Sequence, residues 1–510
     1  MDWVSIAKTS PTTIISAIVL ALIVSLGYVV ISRLVLSPIA KFPGPKLAAV
    51  TFWYEFYYDV IKGGRYTWKI RELHEKYGPI VRINPYEIHV NDPAFYYKLY
   101  TGSGERRDKW QWSMNMFGMK RATFATVPHD LHRRRRAAIN PAFSKAAISN
   151  LEPEIRALVD KLCQRLTEFR ISGEPANIGP IFAALTTDVV TKYCFGKAYG
   201  CVEAPDFKPD LQKAIVANTK TTVLAKQFDW LIPLLHALPH WMVKLTNPLM
   251  MQIVYFAEYI TQQAQQVIET HDNKTELRKQ VTVFDTIIEN ETDPEEKGIY
   301  RLMDDGISIV GAGLSTTADT LRVTTFHILN RPDVLARLQD ELAAAIPDPT
   351  MSPPLRVLEQ LPYLTAVINE GYRMACGIVS RLQRVSPYTD LTYADWSIPA
   401  GTPISMTIYL IHNNPDLFPA PEEFRPERWL TPPAERPDKW LVHFSKGTRM
   451  CAGMNLANAE IYLTLAYLFR RFNLTLFQTT RADADIEHDY FTAFPRMDSK
   501  GVRVLVGAGT

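Results

Sequence analysis

The ten residues Phe444-Ser445-Lys446-Gly447-Thr448-Arg449-Met450-Cys451-Ala452-Gly453 constrain this chain more than any other segment. One cysteine stands between two glycines, two residues after an arginine. At a crude frequency of about 5% per residue type, five fixed types at fixed spacing arise by chance in well under about one chain in a thousand of this length. Gly447 and Gly453 lack Cβ, so they permit tight turns and close backbone approach to a flat ring. A helix is predicted from Gly453 to Arg470, and its N-terminal partial charge favours a thiolate at Cys451. Backbone N–H groups aimed at the sulfur would also keep it anionic. An anionic sulfur on haem iron pushes electron density toward bound oxygen and favours O–O cleavage. Cys451 is therefore the candidate metal-binding thiolate, and Phe444 beside it is expected to shield the sulfur from water. Taken without its neighbours, Cys451 would read as a buried free cysteine beside a turn.

The chain has 510 residues, 47% of them hydrophobic, enough for a large core. Length alone suggests about three domains. No Gly/Ser-rich linker, low-complexity tract or repeat divides the sequence, so one large unit from 51 to 510 is the better reading. A net charge of +3, from 56 basic and 53 acidic residues, gives no reason to propose nucleic acid as a partner. Five irregularly spaced cysteines argue against a disulfide framework and fit a reducing compartment.

Ile14 to Ile31 is uncharged and mostly apolar. At roughly 1.5 Å per residue such a helix nearly spans a bilayer core of about 30 Å. No Ala-x-Ala site follows, so residues 1–36 read as an uncleaved anchor rather than a signal peptide. Arg33, Lys41 and Lys46 on its C-terminal side, against Lys8 and Asp2 before it, leave the bulk of the chain in the cytosol. Pro38, Pro43 and Pro45 stiffen the exit segment 37–50. Sequons at Asn273, Asn290 and Asn473 receive no role on a cytosolic domain.

Patterning gives a mainly α fold with a small β part. A short helix is predicted over Thr67 to Lys76 and a hairpin over Ile80 to Val90, turning near Asn84-Pro85. Helices are predicted from near Asp130, from about 150 to 196 and from about 246 to 270. Arg301 to Asn330 contains no proline and reads as one long helix stopped by Pro332. Another helix ends near Tyr372 to Ala375. Strands are predicted at Thr389 to Ile398, Asn473 to Phe477 and Val502 to Val506.

Further motifs precede the Cys451 loop along the chain. Glu370-Gly371-Tyr372-Arg373 precedes Pro426-Glu427-Arg428-Trp429, and the Cys451 loop follows. Ala312-Gly313-Leu314-Ser315-Thr316-Thr317 lies in the middle of the long helix. On these motifs the chain resembles the cytochrome P-450 family, the haem-thiolate monooxygenases, from about residue 40 to its C-terminus. The resemblance implies the P-450 fold, haem b and Cys451 as the iron ligand. It implies a buried network of Glu370, Arg373 and Arg428 that locks the segment before Cys451. Arg449, His132, Arg136 and Arg384 are candidates for the haem propionates. His132 stands where an aromatic residue is usual, and Trp429 where phenylalanine is. Thr316 would hydrogen-bond bound oxygen in a locally widened helix. Ser315 replaces the usual acid, so a carboxylate relay must come from elsewhere or from water. Ala312, Gly313, Ile378 and Val379 are candidate pocket residues, with Val310, Leu314 and the segment Phe491 to Phe494; their apolar character fits a hydrophobic small-molecule substrate.

The run Arg133 to Arg136 is either a solvated face or a docking face for an acidic redox partner. No strand-placed Gly-x-Gly-x-x-Gly appears, so electrons must come from outside the chain. For an anchored family member the resemblance implies an NADPH-dependent flavoprotein reductase in the same endoplasmic reticulum membrane, with O2 as co-substrate. Asp130 to Ser144 and Ser380 to Pro387 resemble filamentous-fungal oxygenases of the trichodiene-oxygenase type, which tailor terpenoid or polyketide secondary metabolites. Two alternatives stay open: a non-oxygenating isomerase, dehydratase or peroxygenase, kept alive by Ser315, and a non-catalytic haem-binding protein.

Overall fold

A computed structural model describes residues 11–102, 104–273, 281–432 and 436–509, and the backbone alone of 272–273. The first ten residues of the expected anchor, Lys8 and Asp2 among them, lie outside these, as does most of the Asn273 sequon. Helix α1, Pro11–Ile31, continues as a π-helical turn to Leu36. None of its residues is buried, so its apolar surface finds no partner within the chain. The exit segment is docked onto the body. Arg82, which is fully buried, donates to the Arg33 carbonyl at 2.8 Å, and its backbone N–H donates to the Pro43 carbonyl at 2.7 Å.

The body then runs through α2 (Tyr66–Tyr77), β1 (Ile80–Arg82), β2 (Ile88–Val90), α3 (His129–Ile139) and α4 (Lys145–Ser172). It continues through β3 (Ala176–Asn177), α5 (Ile178–Phe195), α6 (Pro209–Gln227), α7 (Met251–Asn273), α8 (Val283–Asn290), α9 (Ile299–Leu329), α10 (Pro332–Ala345) and α11 (Pro362–Ala375). Strands β4 (Arg384–Val385), β5 (Leu391–Tyr393), β6 (Trp396–Ile398) and β7 (Pro403–Ser405) follow. The chain closes with α12 (Met454–Arg471), β8 (Phe472–Leu476), β9 (His488–Tyr490), β10 (Thr492–Phe494) and β11 (Arg503–Ala508).

The predicted hairpin is present, with Ile80 opposite Val90. The Asn84 side chain accepts from the Tyr86 and Glu87 amides and so shapes its turn. Sequence pattern misses the rest of that sheet. Its order is β1-β2-β7-β4, with β7 parallel to β2 although more than 300 residues separate them. The helical stretch expected from 150 to 196 is two helices. Gly173 ends α4 with a positive φ, and β3 between them pairs with β11. Ser144, rather than a residue near 150, starts α4 by accepting from the Ala147 amide.

Helix α9 is the axis of the main core and packs against α5, α7, α11 and α12. Gly313 lies against α5. A Cβ there would stand 3.0 Å from Val190 Cγ2. The helix remains α-helical from Ile299 through Leu329, without the widening expected near Gly313.

Candidate active site

The loop before α12 is held by short-range bonds that sequence spacing could anticipate. The Cys451 amide donates to the Phe444 carbonyl at 2.9 Å, and the Phe444 ring packs edge-on to Tyr372 and against His443. Gly453 is the N-cap of α12, and its N–H reaches the Cys451 sulfur. Cys451 alone among the five cysteines is exposed; Cys163, Cys194, Cys201 and Cys376 are buried. Crowding by surrounding protein still raises the Cys451 thiol, while the Gly453 N–H and Arg136 pull it down. Gly447 makes the expected tight turn: its φ is +73°, and a Cβ would lie 2.1 Å from the Thr101 carbonyl oxygen, so it is also wedged against backbone. At Gly453 nothing lies within 4 Å of a would-be Cβ.

Beneath this loop Glu370 is completely buried with both oxygens occupied. Arg373 donates from Nη2 at 2.8 Å and Nε at 3.0 Å, Arg428 Nε at 3.1 Å, Trp429 Nε1 at 3.0 Å and the Arg425 amide at 2.9 Å. Arg373 also donates to the His412, Pro421 and Glu423 carbonyls. Trp429 thus supplies a donor that phenylalanine lacks.

A second charged cluster has no such balance. His132 is 4% exposed, and no partner reaches its Nδ1. Burial, then Arg449, Lys109, Arg136 and Arg384, push its imidazole down to about 2. Arg449 donates to the Arg107, Thr126 and Val127 carbonyls, and burial with Arg384 beside it lowers its guanidinium to about 9. Arg384 is 4% exposed and donates to the Gln383 carbonyl at 2.9 Å. Burial, Arg449 and Arg384 hold Lys109 far below the usual lysine range; its ammonium lies 3.6 Å from the Phe124 ring centroid. Among the described residues none of these five groups makes an ion pair with a carboxylate. Sequence reading missed Lys109, whose only signal was a cation beside Trp110. A cluster of buried cations with an orphaned ring nitrogen fits a dianionic edge such as a pair of propionates. With the open Cys451 sulfur, the residues present fit a haem. Arg136 stands nearer the sulfur, donating to Asn140 at 2.6 Å.

The basic run of α3 divides between uses. Arg135 pairs with Glu296 at 2.7 Å and Arg134 with Asp293 at 3.3 Å, while Arg133 is exposed. On α9, Ala312 is exposed although the helix crosses the core. The Thr316 hydroxyl donates to the Ala312 carbonyl at 2.9 Å and the Ser315 hydroxyl to the Gly311 carbonyl at 3.3 Å. The candidate pocket residues are placed as follows. Val379 is fully buried core, Gly313 faces Val190, Ile378 is half-buried and bridges Thr492, and Val310 and Leu314 are core. A cavity is lined by Met114, Met116, Phe124, Val223, Leu382 and Phe491 together with charged residues, Lys109 and Arg384 of the cluster above and Asp59, Lys226, Arg381 and Asp489. Phe491, which was expected, sits at a tight β9–β10 turn with φ +78°; its carbonyl accepts from Val379 and Ser380.

An open cysteine at a helix start and cations waiting for an anionic edge beside a cavity point to a haem-thiolate protein. The chain belongs to the cytochrome P450 family: residues 43–495 match Cytochrome P450. It is 43% identical to the tryptophan 6-hydroxylase of Fusarium equiseti over 96% of both chains. It is also 43% identical to a cytochrome P450 monooxygenase of Ascocoryne sarcoides, over 97% of this chain and 99% of that one. Identity to the monooxygenase TRI4 of Fusarium sporotrichioides is 37%, over 91% and 89%. The chain is a P450 monooxygenase, an oxidoreductase of the haem-thiolate class that uses O2 and a redox partner.

Proposed function

We propose that this enzyme inserts one oxygen atom from O2 into a hydrophobic small molecule of fungal secondary metabolism. The observation that carries the reading is the pairing of an open Cys451 sulfur with an uncompensated cationic cluster within one P450 fold. Haem b, when bound, supplies the oxygen activation. Cys451 holds it by a thiolate that the Gly453 N–H and Arg136 stabilise. Lys109, His132, Arg384 and Arg449 hold its anionic edge. Thr316 presents a hydroxyl that can release the Ala312 carbonyl and pass a proton, and with Ser315 beside it the proton comes through water. Phe444 excludes solvent from the sulfur. Relatives named as tryptophan and N-acetyltryptophan hydroxylases extend the substrate range beyond terpenoids and polyketides to indolic amino acids. Residues 1–36 anchor the chain in the endoplasmic reticulum membrane with the unit from 51 onward in the cytosol. An NADPH-dependent flavoprotein reductase supplies electrons there.

The test is reduction of the purified protein under carbon monoxide, with turnover assayed against reductase. A thiolate-type spectrum that Cys451→Ser abolishes, with NADPH- and reductase-dependent product gaining oxygen, is expected. An isomerised or dehydrated product formed without NADPH would overturn oxygenation.

A further inference from the structure

Around Asp59 four carboxylates, Glu55, Asp59, Glu87 and Asp489, all at least nine-tenths buried, stand against two cations, Lys226 and Arg381; of these Asp59, Asp489, Lys226 and Arg381 line the cavity, as do Lys109 and Arg384 farther along it. Three of the acids are satisfied. Glu55 takes Arg381 at 2.7 Å and Lys226 at 2.6 Å on one oxygen and Asn84 at 3.2 Å on the other. Glu87 takes Arg381 at 2.9 Å, Gln383, Ser405 and Asn84. Asp489 takes Ser380 at 2.5 Å, the Phe491 amide at 3.0 Å and Thr67 at 2.7 Å. The two cations are committed to these acids. Asp59 is different. Its Oδ2 accepts from Lys226 at 2.8 Å, and no donor among the described residues reaches its Oδ1. Asp59 lines the cavity together with Met114, Val223 and Phe491.

From this geometry we infer that Asp59 anchors the substrate by accepting a hydrogen bond from its nitrogen, an N–H donor and preferentially an ammonium. The inference rests on the monooxygenase reading and narrows its substrate class. A carboxylate oxygen that faces the cavity and takes no donor from the protein is free to accept a charge-assisted hydrogen bond from a bound molecule. The surplus of carboxylates favours a cationic donor over a neutral hydroxyl and opposes a substrate carboxylate at this end. Lys226 and Arg381 do not serve as anion binders here, because Glu55 and Glu87 occupy them. Burial raises the Asp59 carboxyl, with Lys226 acting against it and Glu55 and Asp489 adding to it. An arriving ammonium relieves that strain.

The test compares metabolites of the source strain with and without this gene, then measures the accumulated compound with full-length enzyme and Asp59→Asn. Expected are a compound bearing an N–H group and a KM raised roughly tenfold or more in Asp59→Asn, with kcat little changed. The carbon monoxide spectrum and thermal midpoint of the variant check its fold. A compound without N–H overturns the inference and needs no variant to do so. An N–H compound whose KM is unmoved by Asp59→Asn overturns it as well. A normal thiolate spectrum in the wild-type enzyme keeps either failure separate from failure of the monooxygenase reading.

Discussion

The molecule holds two buried charged clusters, around Glu370 and around His132, and they are built oppositely. Around Glu370 the cations have a counter-ion inside the protein: two arginines, an indole N–H and a backbone amide converge on one carboxylate, and the spare guanidinium donors reach carbonyls. Around His132 and Lys109 cations face one another, and among the described residues no carboxylate makes an ion pair with them. The first is complete as folded. The second is a cost that folding incurs until an anion arrives. Buried charge by itself therefore does not distinguish structure from binding; whether the balance closes within the chain does.

The largest expected effect is on the closed cluster. Glu370→Gln leaves two buried guanidiniums short of their counter-ion and should cost about 3–5 kcal/mol, seen as loss of folded protein in thermal unfolding with or without haem. The open cluster should respond the other way. Lys109→Met should leave the apoprotein as stable or more so, yet speed haem release roughly ten- to hundredfold when followed by transfer to apomyoglobin. Equal destabilisation of apo and holo forms would erase the contrast.

Acid sharpens the same contrast. An unfolded imidazole titrates near about 6.5, whereas His132 is depressed to about 2. Above about pH 6.5 it is neutral in both states and contributes nothing. Below that, the unfolded chain binds a proton that the folded one does not, so apoprotein stability falls as pH drops toward about 2. His74, His327 and His412 are depressed as well, so the measurement is the difference between wild type and His132→Phe. That difference should shrink when haem is bound. Trp429→Phe removes one donor from Glu370 and should cost about 1.5 kcal/mol in denaturant unfolding. Smallest is Gly313→Ala, where a helix-propensity gain of about 1 kcal/mol opposes the push on Val190. A net change within about 1 kcal/mol is expected.

The site was unevenly legible from sequence. The Phe444–Gly453 loop and Glu370–Arg373 could be read because their partners are close in the chain or fixed by one helical turn. The long helix α9 was legible because thirty residues without proline leave few other options. Lys109 was not, because its meaning comes from Arg449 and Arg384, hundreds of residues away. The pocket was the least legible part: spacing from Arg373 does not say which elements face Val379, which is fully buried, or that Gly313 packs against Val190.

By itself the sequence determined the helices, the apolar N-terminal run and the family, since these rest on local periodicity, local caps and fixed spacing. Tertiary structure alone decided which charges are paired. Glu55, Asp59, Lys226 and Arg381 come from three distant segments, and their balance exists only after those segments meet. Electrostatic energy depends on distance in space and on burial, and neither is written in the order of residues.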